Sequence, residues 1–557
     1  GNGPTISEGS LKVFGDTSYA VFEGFKSTFP MSSGKWYWEV YIDVGGFTQT
    51  GITPTTSTAV GSSTNLSYHT DAMTYESNGN KAIGTGGTGT SPSGRTTTSY
   101  GASYTDGDII GVALDLDSAT TTLTFYKNNS SQGTAFSSLA SDEYVAVHTG
   151  IQNNFGVFNF GQDSSFAGNK TAQGNTDGNG QGDFYYSPPS GFLACCTANL
   201  PDPGIDPAQN EEPADYFNTV LWSGNGTSGV DNQQSITGVG FQPDFAWIKS
   251  RNNASGHALY DVQRGTTGHQ YYLSSDDSIS EDSTYKMMTT FDSDGYTLST
   301  LGGSHTNRSC WTYVGWNWLA GGSAVSNNNG TIASSVSANT EAGFSIVGYT
   351  GTGSAGTVGH GLSSAPEMII QKMRNPSSAE NWTVFHKDLT SANYALRLNL
   401  PNTEFDGSGN YFSATSSTTF SIGSTSQVNE NTKNSIAYCF HSVDGYSKVG
   451  SYTGNGDSDG AFVYTGFKPA WIMVKTNSTS NRWVIFDNTR SPVNPVEEKH
   501  ELNPDDNSAE STSGTDCFDF LSNGFKLRRT GDVFNTSGHV YIYLAFAEQP
   551  FKYANAR

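Results

Sequence analysis

Four stretches of this chain carry residue types that could do chemistry. "GTGSAG" at Gly351 to Gly356 satisfies G-x-G-x-x-G, a spacing that in dinucleotide sites opens a helix whose N-terminus meets a pyrophosphate. "GDSDG" at Gly456 to Gly460 has the G-x-S-x-G spacing of a nucleophile elbow, which needs a strand before it and a helix after it. Asn175, Asp177, Asn179 and Asp183 place oxygen side chains at near-alternate positions among glycines, a pattern that suits a loop curling around calcium. Tyr68, Tyr75 and Tyr104 flank a Gly/Ser/Thr-rich insertion, where their rings could stack on a sugar or a peptide.

The surroundings decide two of these. "TVGHGLSSAP" after the first motif breaks a helix, and "AFVYTGF" after the second reads as a strand. Neither motif has the helix its chemistry requires, so both read as turns. For the oxygen-rich loop, calcium and a plain polar turn both stand. For the tyrosines, ligand contact and ordinary strand-edge packing both stand.

The glycine-rich stretches belong to a larger pattern. "WSGNG" at Trp222, "YTGTG" at Tyr349 and "YTGNG" at Tyr452 are each followed by an apolar run opened by proline and closed by lysine: "PDFAWIK", "PEMIIQK" and "PAWIMVK". The closing lysines are Lys249, Lys372 and Lys475. Each copy ends on a strand-like run, "WTYVGWNWLAG", "SIAYCFHSVDG" or "VYIYLAFAEQP", which we align on Trp316, Phe440 and Phe546. Self-similarity at this period means three copies of one structural unit. In that alignment Cys439 faces Gly315 and Ala545, so its slot asks for small size and not for a thiol. The three lysines should superpose. "CWTYVGWNW" places Trp311, Trp316 and Trp318 so that they cannot all face one core, and at least one should sit on a contact between domains or subunits.

Composition narrows the class. The 557 residues are 14% charged and 13% aromatic, with 65 glycines, the profile of turn-rich strands. A net charge of −23 argues against nucleic acid as a partner, because phosphate binding needs a cationic surface. No apolar run reaches the length that spans a bilayer, so we expect no membrane insertion. Gly1 and the residues after it lack a signal pattern, and we expect a trimmed N-terminus whose upstream part could hold an anchor. The five cysteines form no C-x-x-C pair and read as reduced. The ten histidines show no zinc spacing.

In the first 165 residues, "GKWYWEVYID" places Trp36, Trp38 and Val40 on one strand face and Tyr37, Glu39 and Tyr41 on the other. "GDIIGVALDLD", "FYKNN" and a closing "NFG" at Asn159 to Gly161 follow in order. This series resembles the SPRY domain family. The resemblance implies a two-sheet, concanavalin-like antiparallel sandwich that binds partners through loops and has no catalytic machinery. The insertion "GTGGTGTSPSGRTTTSYGA" departs from the family's pattern in that loop region, so no particular ligand carries over.

We therefore expect an all-β protein: a SPRY-like sandwich over residues 1–165, a Gly/Asn/Pro-rich linker over 166–213, and tandem β-sandwich repeats over 214–335, 336–445 and 446–557. The linker phrase "SPPSGFLACCTANLPDP", the repeats and the ending "YIYLAFAEQPFKYANAR" resemble structural proteins of marine tailed bacteriophages. That resemblance implies a virion protein, a tail or head fibre or appendage, made in the host cytoplasm and carried on the extracellular particle. Its partners would be other virion proteins and a host cell-surface glycan or protein. A fibre also gains by displaying several copies, so we expect a homo-oligomer, a trimer. Two other classes stand beside this one. A bacterial surface adhesin or secreted lectin would use the same modules. A glycoside hydrolase needs two carboxylates across a groove, and no acidic pair is singled out, so we expect no enzyme and no cofactor beyond calcium.

Overall fold

β-Branched and aromatic residues separated by glycine and asparagine turns build strands along the whole chain. In the computed structural model, a single turn at Ser426–Asn429 is the one α-helix among the described residues. The structure describes all residues except 1–4, 8–10, 15–21, 45, 56–70, 86–94, 141–142, 152–154, 228–230, 267, 302–304, 512, 532 and 555–557. The chain divides into two compact units, Gly1–Pro201 and Asp202–Arg557.

The first unit is a sandwich of two antiparallel sheets. One runs, in spatial order, through Thr5–Ser7, Lys12–Phe14, Phe155–Asn159, Lys35–Val44, Ile109–Asp115, Thr122–Lys127 and Ser130–Ser137. The other runs through Phe22–Lys26, Tyr144–Ile151, Thr48–Pro54, Met73–Glu76, Asn80–Gly84 and Arg95–Ser99. The alternation along Lys35–Val44 sorts as its sequence says. Trp36, Trp38, Val40 and Ile42 enter the core between the sheets, while Tyr37 and Tyr41 point the other way.

That outer face is covered by residues that the sequence assigned to a linker. Phe184 meets the Tyr37 ring edge-on at 5.3 Å and Phe166 lies 5.6 Å from Tyr41. The strand Leu193–Ala194 pairs in parallel with Trp36 and Tyr37. Glu39, fully buried, accepts from the backbone N–H groups of Tyr185 and Tyr186 at 2.9 and 2.8 Å and from Asn159 Nδ2 at 3.1 Å. Residues 166–201 are thus a layer of the first unit, and the expected boundary at 165 moves to Pro201. The aromatic residues of this segment had no core of their own and found one on the sandwich.

The second unit holds the three repeats. Each is built on the same four central strands. In the first these are Phe217–Ser223, Thr312–Trp318, Phe245–Ser250 and Ala258–Asp261. In the second the equivalent strands are Phe344–Thr350, Asn434–Phe440, Met368–Met373 and Thr383–His386, and in the third Ser447–Thr453, Val540–Pro550, Phe467–Thr476 and Val484–Asp487. One face of each sheet packs on its own smaller sheet and makes a private core. The opposite faces meet in one shared core that includes Trp247, Trp316 and Trp318 of the first repeat, Ile370 and Tyr438 of the second, and Trp471 and Leu544 of the third.

The repeats are therefore not separate domains in a row. The expected boundaries at 335 and 445 fall inside one compact unit, because a sheet that is apolar on both faces must bury both. The strand Val325–Asn327, expected in the first repeat, and Ser334–Asn339, which straddles the expected boundary, extend the sheet of the second.

Register confirms the lysine equivalence and corrects the aromatic one. Lys249, Lys372 and Lys475 lie opposite Val314, Ile436 and Ile542, and the strand-end pairs are Phe245 with Trp318, Met368 with Phe440, and Trp471 with Phe546. Trp318, not Trp316, is thus the counterpart of Phe440 and Phe546. The equivalents of Cys439 in the other copies are then Asn317 and Ala545, so its slot admits a buried asparagine as well as small side chains. Trp316 and Trp318 both lie against Trp471 of the third repeat, with ring centroids 6.4 and 5.7 Å away, which places two of the three singled-out tryptophans on a contact between repeats.

Candidate functional site

The predicted ligand tyrosines are structural. Tyr75 and Tyr104 belong to the core of the first unit, 0% and 4% exposed. Tyr104 donates its hydroxyl to the carbonyl oxygens of Thr48 and Tyr75, at 3.1 and 2.8 Å, and Tyr75 donates to that of Ala102. Their rings contact each other and Phe125, which leaves no face for a sugar or a peptide. Tyr68 lies outside the described residues.

The oxygen-rich loop does not form a calcium shell. The Asp177 carboxylate accepts from the backbone N–H groups of Asn179, Gln181 and Ala194 and from Asn199 Nδ2, at 2.7 to 2.9 Å. Burial alone would raise its pKa, but these donors outweigh burial and hold it below the usual carboxylate value. Asn175 donates to the carbonyls of Phe184 and Tyr185, and Asn179 to Asn199 Oδ1. Asp183 keeps one buried oxygen without a partner, far short of the six or more ligands calcium takes. Among the described residues no group of three or more His, Cys, Asp or Glu side chains could hold a metal ion. The calcium reading is replaced by the polar-turn reading: Asp177 ties the loop to the strand at Leu193–Ala194.

The three glycine motifs are docking points for the chain's own backbone. The side-chain oxygen of Asn307 accepts from Asn225 N at 3.0 Å, Asn429 from Thr352 N at 2.8 Å, and Asn535 from Asn455 N at 2.8 Å. The carbonyls of the same three residues accept from Gly226, Gly353 and Gly456 at 2.8 to 3.0 Å. All three asparagines are fully buried. A Cβ on Gly224, Gly351 or Gly454 would collide with the carbonyl oxygen of Arg308, Glu430 or Thr536, so only glycine lets that loop approach. No dinucleotide or nucleophile chemistry is left for these motifs.

A second threefold set joins the repeats to one another. Lys249 Nζ donates to Asn507 O at 3.2 Å, Lys372 to Ser278 O at 2.9 Å, and Lys475 to Pro401 O at 3.2 Å. A ring N–H then repeats the same connections. His257 Nδ1 accepts from Trp247 Nε1 at 2.8 Å, which makes Nε2 the donor to Asn503 O at 2.9 Å. Trp382 donates to Ser274 O at 2.7 Å and Trp483 to Arg397 O at 2.9 Å. By both sets the first repeat grips the third, the second grips the first, and the third grips the second. The connections close into a ring.

Buried ion pairs strengthen two of the three joints. Arg264 pairs with Asp261 at 2.5 Å, and Asp261 also accepts from Tyr438 of the second repeat at 2.7 Å. Arg490 pairs with Asp487 at 2.6 Å, which accepts from Trp316 Nε1 of the first repeat at 3.0 Å. At the third joint His386 and Leu389 occupy these places, and His386 Nε2 lies 3.4 Å from Tyr543 O. The three lysines are fully enclosed, so none can reach a substrate. At the centre, an apolar cavity of about 10 Å³ beside Phe245, Trp318, Tyr438 and Trp471 has room for nothing larger than water. The polar groups repeated in the three copies are spent on closing the ring.

Sequence reasoning missed the asparagines and the ring N–H donors. The asparagines had a signal: each stands eleven residues before Trp318, Phe440 or Phe546. Aligning the first copy on Trp316 concealed it.

The SPRY domain profile matches residues 35–163, and these residues form a SPRY domain. Among solved structures, a human SPRY domain is 15% identical, covering 28% of this chain and 94% of its own, with a TM-score of 0.22. The SPRY domain of human HERC1 is 18% identical, covering 28% of this chain and 91% of its own, also with a TM-score of 0.22. No curated protein matches the chain. The profile of a domain of unknown function, DUF7483, matches residues 212–550, the span of the interlocked ring and more than half of the chain, and the chain belongs to the DUF7483 family.

Proposed function

We propose that this chain is a structural and binding protein of a bacteriophage virion, a tail or head fibre or appendage, and not an enzyme. The observation that carries the reading is the closed ring of three repeats. Lys249, Lys372 and Lys475 and the ring donors of His257, Trp382 and Trp483 are turned onto joints between repeats, which suits a rigid mount. The SPRY domain is the recognition module, and its target is a host cell-surface glycan or protein. Assembly as a homotrimer completes the proposal: the inner faces of the repeats are already occupied within one chain, so contacts between chains would use other surfaces. The phage resemblance of the linker, repeats and C-terminus supports the virion part.

The test is direct. Antibody raised against the chain should decorate purified virions, and the purified chain should adsorb to host cells and compete with phage attachment. Unlabelled virions together with no adsorption would sink the reading. The mass of the purified chain in solution checks the trimer.

A further inference from the structure

The three central sheets share a strand order but differ in how their edges end. The edge formed by Ala258–Asp261, Thr383–His386 or Val484–Asp487 is covered in every copy, by a bridge from Leu259 to Leu273, Val384 to Leu396 or Ile485 to Leu502. The opposite edge is covered only in the second repeat. There Ser334–Asn339 adds antiparallel to Phe344–Thr350, and the three-residue strand Val325–Asn327 follows it. Phe217–Ser223 and Ser447–Thr453 hold the place of Phe344–Thr350 in the other two copies, and among the described residues no strand pairs with their outer side.

Both open edges are fit to pair. Gly224 N bonds to Trp311 O and Leu319 N to Tyr216 O, so by alternation Thr219, Leu221 and Ser223 turn their main-chain groups outward. Gly454 N to His539 O and Ala547 N to Tyr446 O fix the same for Val449, Ser451 and Thr453. Leu221 is 39% exposed, and Ser223 and Ser451 are exposed as well. Natural sheets blunt open edges with proline, charge or bulges. These two strands have no proline, no shift in register with their inner neighbours, and one charge, Lys448. Neither has an acid, although the chain holds 51 and carries a net charge of −23, so here two copies can meet without carboxylates opposed.

The two edges also complement each other. Set antiparallel with Leu221 opposite Ser451, those residues exchange both main-chain bonds, Ser223 N reaches Val449 O, and Thr453 N reaches Thr219 O. The Ser223 O to Val449 N bond of that register is already replaced within the chain: Gln234 Nε2 donates to Ser223 O at 3.2 Å, and Val449 N donates to Ser442 Oγ at 2.9 Å. Thr219 N is likewise held, by Asn218 Oδ1 at 2.8 Å. Two different edges on each chain make a head-to-tail contact, the kind that closes into a ring of copies.

We propose that the Phe217–Ser223 edge of one copy takes the Ser447–Thr453 edge of the next by strand addition, and that this contact builds the homotrimer. The proposal rests on the homotrimer reading and names its interface. Light scattering of the full chain over a range of concentrations should show trimers. Leu221→Lys and Ser451→Lys, each at an exposed position, should remain folded by melting curve and raise the dissociation constant by at least about tenfold, since an edge lysine opposes pairing. Leu221→Cys combined with Ser451→Cys tests the register without weakening the contact. Hydrogen-bonded pairs lie about 5.5 Å apart at Cα, within disulfide reach, so mild oxidation should give covalent trimers. Each single cysteine variant should match the wild type, whose Cys310 is also exposed. Trimers that neither lysine variant weakens and the cysteine pair does not link overturn the edge proposal and leave the homotrimer standing. Covalent dimers from Leu221→Cys alone mean that this edge pairs with itself, and the head-to-tail contact fails. A wild-type chain that stays monomeric at every concentration defeats both the contact and the homotrimer, while labelling of virions is judged separately.

Discussion

Lys372 of the second repeat donates its ammonium to the carbonyl oxygen of Ser278 in the first, across 2.9 Å. Lys249 and Lys475 make the same bond at the other two joints. Burial pushes all three down to about 8, whereas an unfolded lysine titrates near 10.4. Between those values the native state binds fewer protons than the unfolded one, so stability should rise with pH there and be flat below about 8. Urea midpoints of the second unit at about pH 7.5 and about pH 9.5 check this, and replacing all three lysines by methionine should remove the rise. A midpoint that falls over that interval in the wild type would contradict the assignment.

Asn429 holds the second glycine motif with three bonds: it accepts from Thr352 N and donates to Ser354 O at 2.7 Å and Gly423 O at 2.8 Å. Asn429→Ala removes the buried bond to Gly423 O and the part-buried ones to Thr352 N and Ser354 O, and the expected loss is about 1–3 kcal/mol in chemical denaturation. Gly351→Ala should destabilise in the same direction, because its methyl meets the Glu430 carbonyl. An effect under about 0.5 kcal/mol, the level of an ordinary surface substitution, would mean the motif is not a docking point.

How much could be read in advance follows from what each pattern depends on. The alternation in Lys35–Val44 was legible, since period two in a sandwich strand sorts residues between faces without reference to anything distant. The equivalence of the lysines was legible for a related reason: a charged residue closing an apolar run is conspicuous in each copy. The ring closure was not, because the position held by His257, Trp382 and Trp483 differs in residue type from copy to copy, and its partners are main-chain carbonyls that have no sequence signature. Tyr75 and Tyr104 were misplaced because their offsets in sequence do not reveal which sheet face they occupy. The oxygens of Asp177 suggested a metal because a carboxylate that collects backbone N–H groups and one that collects a cation look alike in a glycine-rich string.

Thr432 has a left-handed backbone at φ 66°, as does its first-repeat counterpart Cys310 at φ 67°, while the third repeat places Gly538 there at φ 77°. A β-branched residue pays a steric cost in this region that glycine does not, so Thr432→Gly should stabilise the second unit by about 1 kcal/mol. Gly538→Thr should cost a similar amount. Paired denaturation curves read both, and the two changes must have opposite signs.

Because Asp177 is satisfied by backbone and side-chain N–H donors, adding a chelator should leave the melting temperatures of both units unchanged. Asp177→Ala should instead loosen the layer formed by residues 166–201 and increase hydrogen exchange at Ala194, whose N–H bonds to that carboxylate. Its lowered pKa makes this a contribution present above the ordinary aspartate value and lost as pH falls through the folded one. Chelator-dependent melting would restore the calcium reading.

His148 of the first unit is buried, its ring edge toward Phe158 at 6.1 Å, and neither ring nitrogen has a partner. With nothing to support a charge there, burial lowers its pKa to about 4, against about 6.5 for an unfolded histidine. Between those values the unfolded chain takes up a proton that the native chain refuses. Stability must therefore fall as pH drops from about 6.5 toward 4, and by as much as about 3 kcal/mol if no other group compensates. The full chain can be followed by near-ultraviolet circular dichroism while urea is raised at a series of pH values, with the first unit identified by hydrogen exchange at Trp36 and Trp38. His148→Leu removes the titrating ring and should flatten that dependence for the first unit alone, leaving the second unit's curve as it was. Equal acid sensitivity in the variant and the wild type would show that other groups control the response.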